Sequence, residues 1–303
     1  MKYKKSITTL VLVIACLAFV ATIVGIFASG GAGPKEIQTL HDEVITLHGK
    51  GLYQFDSVSG ASQVIAQDIV TLCLSIPLLL LSLIWYKKGS IKGRLMLVGT
   101  LSYFLYTYAS YAFLLMYNPL FLLYVILLSA SFFAFTLVMV SFDYENLHTY
   151  FHNNLPTKLI GGFLFSLSFL LLFLWLGRIV PPLVNGGVPV GLEHYTTLVI
   201  QVLDLAFIVP VAIVGGILVL KRNGIGYLLA TILIVKGITM LTAITAMIIN
   251  QARAGIPMTV MEYALFPVFN IVVIYCLYVL LKHVQEPRIP GGIMDENTNL
   301  VRN

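Results

Sequence analysis

An aspartate and a lysine, Asp204 and Lys236, stand inside two consecutive apolar runs of this 303-residue chain. An ammonium at bilayer depth costs a few kcal/mol on insertion scales, and roughly 10 or more in simulations of an isolated helix, so it needs a partner. Asp204 lies about eight residues into the run 196–220, and Lys236 about thirteen residues from the end of the run 225–249 on the same side. At 1.5 Å per residue the two depths differ by roughly 7 Å, which a lysine stem bridges. Other polar groups fall at similar depth. Gln201 is one turn from Asp204 at i−3, on the same helix face. Glu262 opens the next apolar run, with Asn270 two turns deeper. Gln63, Gln67 and Asp68 gather at the start of an earlier run, and Tyr103, Tyr106, Ser110 and Tyr117 share one face of the run after it. Two chemistries fit. Asp204, Lys236, Gln201, Glu262, Asp68 and Tyr103 could surround a polar cavity that binds or handles a charged solute. Alternatively, Asp204 and Lys236 neutralise each other as a structural lock.

Catalytic signatures are scarce. No HExxH, GxSxG or nucleotide-binding loop occurs, which places an enzyme third among the readings. No cofactor is expected. A lysine in a late span could form a retinal Schiff base, but the two tryptophans, Trp85 and Trp175, fall near the ends of apolar runs, away from Lys236. His148 and His152 are at i, i+4 with Glu145 at i−3, a spacing that could hold a metal on a helix. A solvated juxtamembrane helix explains the same residues more simply, so no metal site is assigned.

The elements that position these residues are membrane spans. Hydrophobic residues make up 59% of the chain and charged residues 10%, with mean hydropathy +0.94. A soluble domain carries about 25% charge, so the solvent is lipid. Runs of about 20 apolar residues mark helical spans. They are read at 6–28, 68–86, 95–117, 120–142, 159–178, 196–220, 225–249 and 259–281. Val13-Ile14-Ala15-Cys16 matches a lipobox, but the apolar run continues through Ala28, too long for a signal h-region of roughly 7–15 residues. The net charge of +5 comes from basic residues that flank the runs, which argues topology and not nucleic acid. With eight spans, thirteen Lys and Arg lie on one side and only Lys35, Lys50, Arg178 and Arg253 on the other. That bias puts both termini in the cytoplasm. Cys16, Cys73 and Cys276 all sit in apolar runs and read as packing groups. In the outer segment 30–67, Ile37, Leu40, Val44 and Leu47 recur at helical spacing, which predicts a short amphipathic helix over 35–48.

Pro77, Lys88 and Gly93 recur as Pro210, Lys221 and Gly226, each pair separated by 133 residues. The pattern predicts duplication of a four-helix unit, giving two parallel repeats, 1–158 and 159–285, and a cytoplasmic tail 286–303. Thr71 then matches Asp204 and Tyr103 matches Lys236. Asp56-Ser57-Val58-Ser59 through Gln67-Asp68, and Gly93-Arg94-Leu95 through Tyr103-Phe104-Leu105-Tyr106-Thr107-Tyr108, resemble a family of bacterial multi-span integral membrane proteins. The resemblance implies a bacterial plasma membrane and no particular activity. The expected fold is thus all-α, a polytopic bundle of eight transmembrane helices. The leading functional expectation is binding or transport of a small polar or ionic solute through an outward-facing pocket. The alternative is a membrane sensor or assembly protein that meets a membrane partner through 35–48 and 143–158.

Overall fold

A computed structural model describes residues 3–286. Lys2, Arg288, Arg302 and the rest of the expected tail beyond Glu286 lie outside the described residues. Among the described residues the chain is all-α apart from one hairpin. Its elements are α1 (Lys4–Phe27), β1 (Lys35–Gln38), β2 (Val44–Leu47), α2 (Val58–Lys87) and α3 (Ile91–Leu114). They continue with α4 (Phe121–Val140), α5 (Thr157–Asn185), α6 (Val199–Leu220), α7 (Gly224–Arg253) and α8 (Val260–Lys282). Polar side chains start several helices. Ser57, Ser90 and Asn223 accept from the backbone of the first turns of α2, α3 and α7, and Thr259 with Glu262 forms a capping box on α8.

Contacts between the connecting segments define two ends. At one, which we call the hairpin end, Asp56 meets Met116 and Tyr195, and Gln251 meets Ser59. At the opposite, basic end, Lys4 reaches the carbonyl of Lys87, Arg94 that of Ser141, and Arg222 that of Asn153. Each long helix runs between these ends. All but α3 are long and apolar enough to cross a membrane, seven in number. α3 falls short in apolarity because it carries Tyr103, Tyr106, Tyr108, Tyr111 and several Thr and Ser. It can do so because it is the most enclosed helix, packed by α2, α4 and α7, so its side chains mostly meet protein. α3 and α7 approach closely at Gly99, where a Cβ would lie 2.5 Å from that of Val235.

Three expectations change. Residues 35–48 form an antiparallel hairpin, with Ile37 opposite Ile45, and not an amphipathic helix. Thr39 Oγ1 accepts from the backbone of His41 and Glu43 in the turn, and Asp42 takes a left-handed φ of 62°. β-branched Val44, Ile45 and Thr46 suit the strand, and Leu40, assigned to the helix's apolar stripe, is 99% exposed. Next, α2 begins at Val58 and not near 68, which moves Asp68 from a helix end into its interior. Finally, α5 continues to Asn185, past Pro181 and Pro182, so Trp175 lies well inside it.

Candidate functional site

α6 and α2 each contain one π-helical segment, Asp204–Ile208 and Thr71–Ser75, shortly before Pro210 and Pro77. A proline lacks the N–H that an α-helix needs and crowds the preceding turn. The wider π-turn absorbs that mismatch. In α6 it begins at Asp204, whose carbonyl accepts from the Val209 N–H.

Both oxygens of the Asp204 carboxylate are occupied. Tyr106 Oη donates to Oδ1 at 2.9 Å and Trp175 Nε1 to Oδ2 at 2.9 Å. The Lys236 ammonium lies 3.6 Å from the centroid of the Tyr106 ring, a cation–π contact. Among the described residues it forms no direct ion pair and donates no hydrogen bond. The expected Asp204–Lys236 partnership therefore runs through Tyr106, whose face meets the cation while its hydroxyl meets the anion. Each charged residue is only 7% exposed.

These groups line a cavity of about 450 Å³. Gln67 and Ser110 add polar atoms, and Gln63, Gln251 and Glu262 stand toward the hairpin end. The remaining wall is mainly apolar: Leu167 and Leu171 from α5, Met240 and Ile244 from α7, Phe266 and Phe269 from α8. A predominantly polar cavity was expected, and this one is polar only in patches. A second space of about 350 Å³ adjoins it at the hairpin end, beneath the segment 186–198, and shares Gln63 and Ile200 with it.

The six sequence-predicted residues divide. Asp204, Lys236 and Glu262 line the cavity. Glu262 is partly engaged in capping, since its Oε2 accepts from Thr259 N at 2.6 Å and Oγ1 at 2.7 Å. Gln201 faces the adjoining space. Asp68 is buried elsewhere, accepting from Tyr53 at 2.6 Å and Tyr111 at 2.9 Å, with Gly25 of α1 leaving room for that contact. Tyr103 is buried in a network with Gln67 at 3.1 Å and Thr71 at 2.8 Å. Tyr106 and Trp175 are the additions. Tyr106 was visible on the polar face of α3. Trp175 was hidden by placing the end of its helix too early. His148 sits in a 3₁₀ turn with Nδ1 on the Glu145 carbonyl, and His152 pairs with Gln285.

Outside the membrane-spanning helices, one carboxyl is set apart. Asp56 is buried, accepting from Met116 N at 3.1 Å and Tyr195 Oη at 3.1 Å. Burial pushes its pKa up to about 6, against the lowering effect of those two bonds. It ties 186–198, the roof of the smaller space, to the start of α2.

No family model matches the chain, and no curated protein or solved structure matches it either.

Proposed function

We propose that this is a multi-pass protein of the bacterial plasma membrane that binds or transports a small polar or ionic solute in the cavity floored by Lys236 and Asp204. The observation that carries the reading is the Lys236 ammonium. It is almost fully buried, lines the cavity and has no hydrogen-bond acceptor among the described residues. A lock needs a lysine that meets its counter-ion, whereas an ammonium with open donors suits an incoming acceptor. The adjoining space under 186–198 supplies a route from the hairpin end. In this reading α3 crosses the membrane as an eighth span, shielded from lipid by its neighbours. Both termini are cytoplasmic, because basic residues cluster at the opposite end, and the hairpin end faces out.

The test is a thermal-shift screen of ions, amino acids and carboxylates on the purified chain, repeated on Asp204→Asn/Lys236→Met. A solute at 100 times its Kd should add about 2.7 kcal/mol of stability. The double variant should fold, since replacing both members of a buried pair can be near neutral, and should lose the response. A response that survives in a folded double variant would remove these residues from the site. One feature favours the alternative of a sensor or assembly protein without transport: the hairpin turn presents a fully exposed Leu40. An enzyme ranks third.

A further inference from the structure

α5 and α8 flank the cavity and touch each other little, which we read as a slot on its membrane-facing side. Toward the basic end they close on each other, with the rings of Phe163 and Phe269 5.8 Å apart. They pack little against each other overall, and Leu171, Leu174 and Phe266 all line the cavity between them. Leu174 is 49% exposed while also lining the cavity, so this one side chain spans from the cavity to the surface that lipid would cover. The corresponding helices of the first half, α1 and α4, pack along each other and leave no such slot.

Among the described residues at the floor, the group with no hydrogen-bond partner at all is the Lys236 ammonium. Each Asp204 oxygen already receives a donor, and Glu262 Oε2 is held by its capping bonds. Lys236 offers three N–H groups on one charge. A carboxylate or phosphate satisfies them with charge-assisted bonds. A cation would meet the ammonium in apolar surroundings. The walls above Lys236 offer a polar head little and an alkyl chain much. At about 30 Å³ per water-sized group, about 450 Å³ takes on the order of fifteen non-hydrogen groups. That suits a head and one short chain, and not a two-chain phospholipid.

We propose that the ligand of this cavity is a single-chain amphipathic anion, its carboxylate or phosphate on Lys236 and its chain in the slot between α5 and α8, by which it enters from the bilayer. The proposal rests on the binding reading above and names its ligand class.

The chain carries its own reporter. Trp175 lines the cavity beside Asp204, and the only other tryptophan, Trp85, is 46% exposed near the basic end of α2. In a Trp85→Phe background, in non-ionic detergent, a fatty acid brominated on its chain should quench Trp175 saturably. Laurate and dodecyl phosphate should relieve the quenching, and dodecyltrimethylammonium should not. Lys236→Met should weaken binding by about tenfold or more, and Lys236→Arg should restore most of it. Quenching that is unsaturable, or relieved equally by the alkylammonium, overturns the proposal, because contact with detergent-phase amphiphile then explains it. If acetate or inorganic phosphate competes as strongly as laurate, the chain plays no part. The amphipath assignment then fails while the small-solute reading stands. The comparison of ligand classes needs no change at Lys236, so it decides the matter even where Lys236→Met does not fold.

Discussion

Tyr106 does two jobs, and substitutions separate them. Tyr106→Phe keeps the ring under the Lys236 ammonium and removes the hydroxyl that donates to Asp204. A buried carboxylate oxygen then lacks its donor, which should cost about 1–3 kcal/mol. Tyr106→Leu removes the cation–π contact as well, for about 0.5–2 kcal/mol more. Thermal melts in one detergent should therefore rank wild type above Phe above Leu. Equal stability of Phe and Leu would mean that the ring contact contributes nothing. At this scale the sequence marks which charges lie buried among the helices and says less about how they meet. Asp204 and Lys236 stood out because charge inside an apolar run is rare. That they meet through a tyrosine could not be read from depth alone, since depth says nothing of the angle each residue takes around its helix. Asp68 shows the same limit: its place near Gln67 suggested the cavity, yet one residue along a helix is a 100° turn, and it faces Tyr53 and Tyr111 instead.

Among the elements, the apolar runs gave the long helices because a bilayer demands length and apolarity from each. The hairpin and the early start of α2 were not legible. Ile37, Val44 and Leu47 keep a helical period, whereas the strand alternation rests on Ile45 and Leu47 alone, with Val44 on the opposite, exposed face; and the polar first turns of α2 resemble a loop until Asn250 and Tyr111 are seen to donate to the carbonyls of Ser62 and Val64. The segment 186–198 is held to this region through Tyr195 and Asp56, and that attachment should depend on pH. The Asp56 carboxyl titrates at about 6 when folded, against an ordinary 3.8 when unfolded. Between those values the folded chain binds more protons, so stability from this group is highest below 3.8 and falls as pH rises toward 6. The span between them is worth at most about 3 kcal/mol. Asp56→Asn keeps an oxygen to accept from Met116 and Tyr195 and cannot titrate. Its stability relative to wild type should rise between about pH 4 and 6 and then level off. The difference between the two melting curves isolates this residue from other groups that titrate in the window. A constant difference across it would mean that Asp56 is not buried as described.

For the whole molecule, the two ends and the two halves make separate predictions. With native cysteines replaced, Leu40→Cys at the hairpin end should react with an impermeant maleimide in intact cells, and Lys88→Cys at the basic end should react only after permeabilisation. The reverse pattern would invert the proposed orientation. The 133-residue offset extends beyond the prolines to the bounds of the elements. The π-segments begin at Thr71 and Asp204 and end at Ser75 and Ile208, α2 and α6 end at Lys87 and Leu220, and α3 and α7 begin at Ile91 and Gly224. Every one of these pairs differs by 133, the offset of Pro77 from Pro210. The residues at that offset from Asp204 and Lys236 are Thr71 and Tyr103, which hydrogen-bond directly at 2.8 Å. If the halves descend from one unit, the second half should accept the first half's solution. Asp204→Thr alone strands the Lys236 cation, and Lys236→Tyr alone leaves the Asp204 carboxylate without a nearby positive charge. Each should be strongly destabilising, by about 3–5 kcal/mol where no other partner substitutes. Asp204→Thr/Lys236→Tyr should recover most of that loss, because it replaces the charges with a hydroxyl pair that the same helix geometry already accommodates between α2 and α3. A double-mutant cycle measured by thermal unfolding checks it. Losses that simply add would show that the α6–α7 pair does not share the geometry of α2–α3, and the duplication would then rest on hairpin chemistry alone.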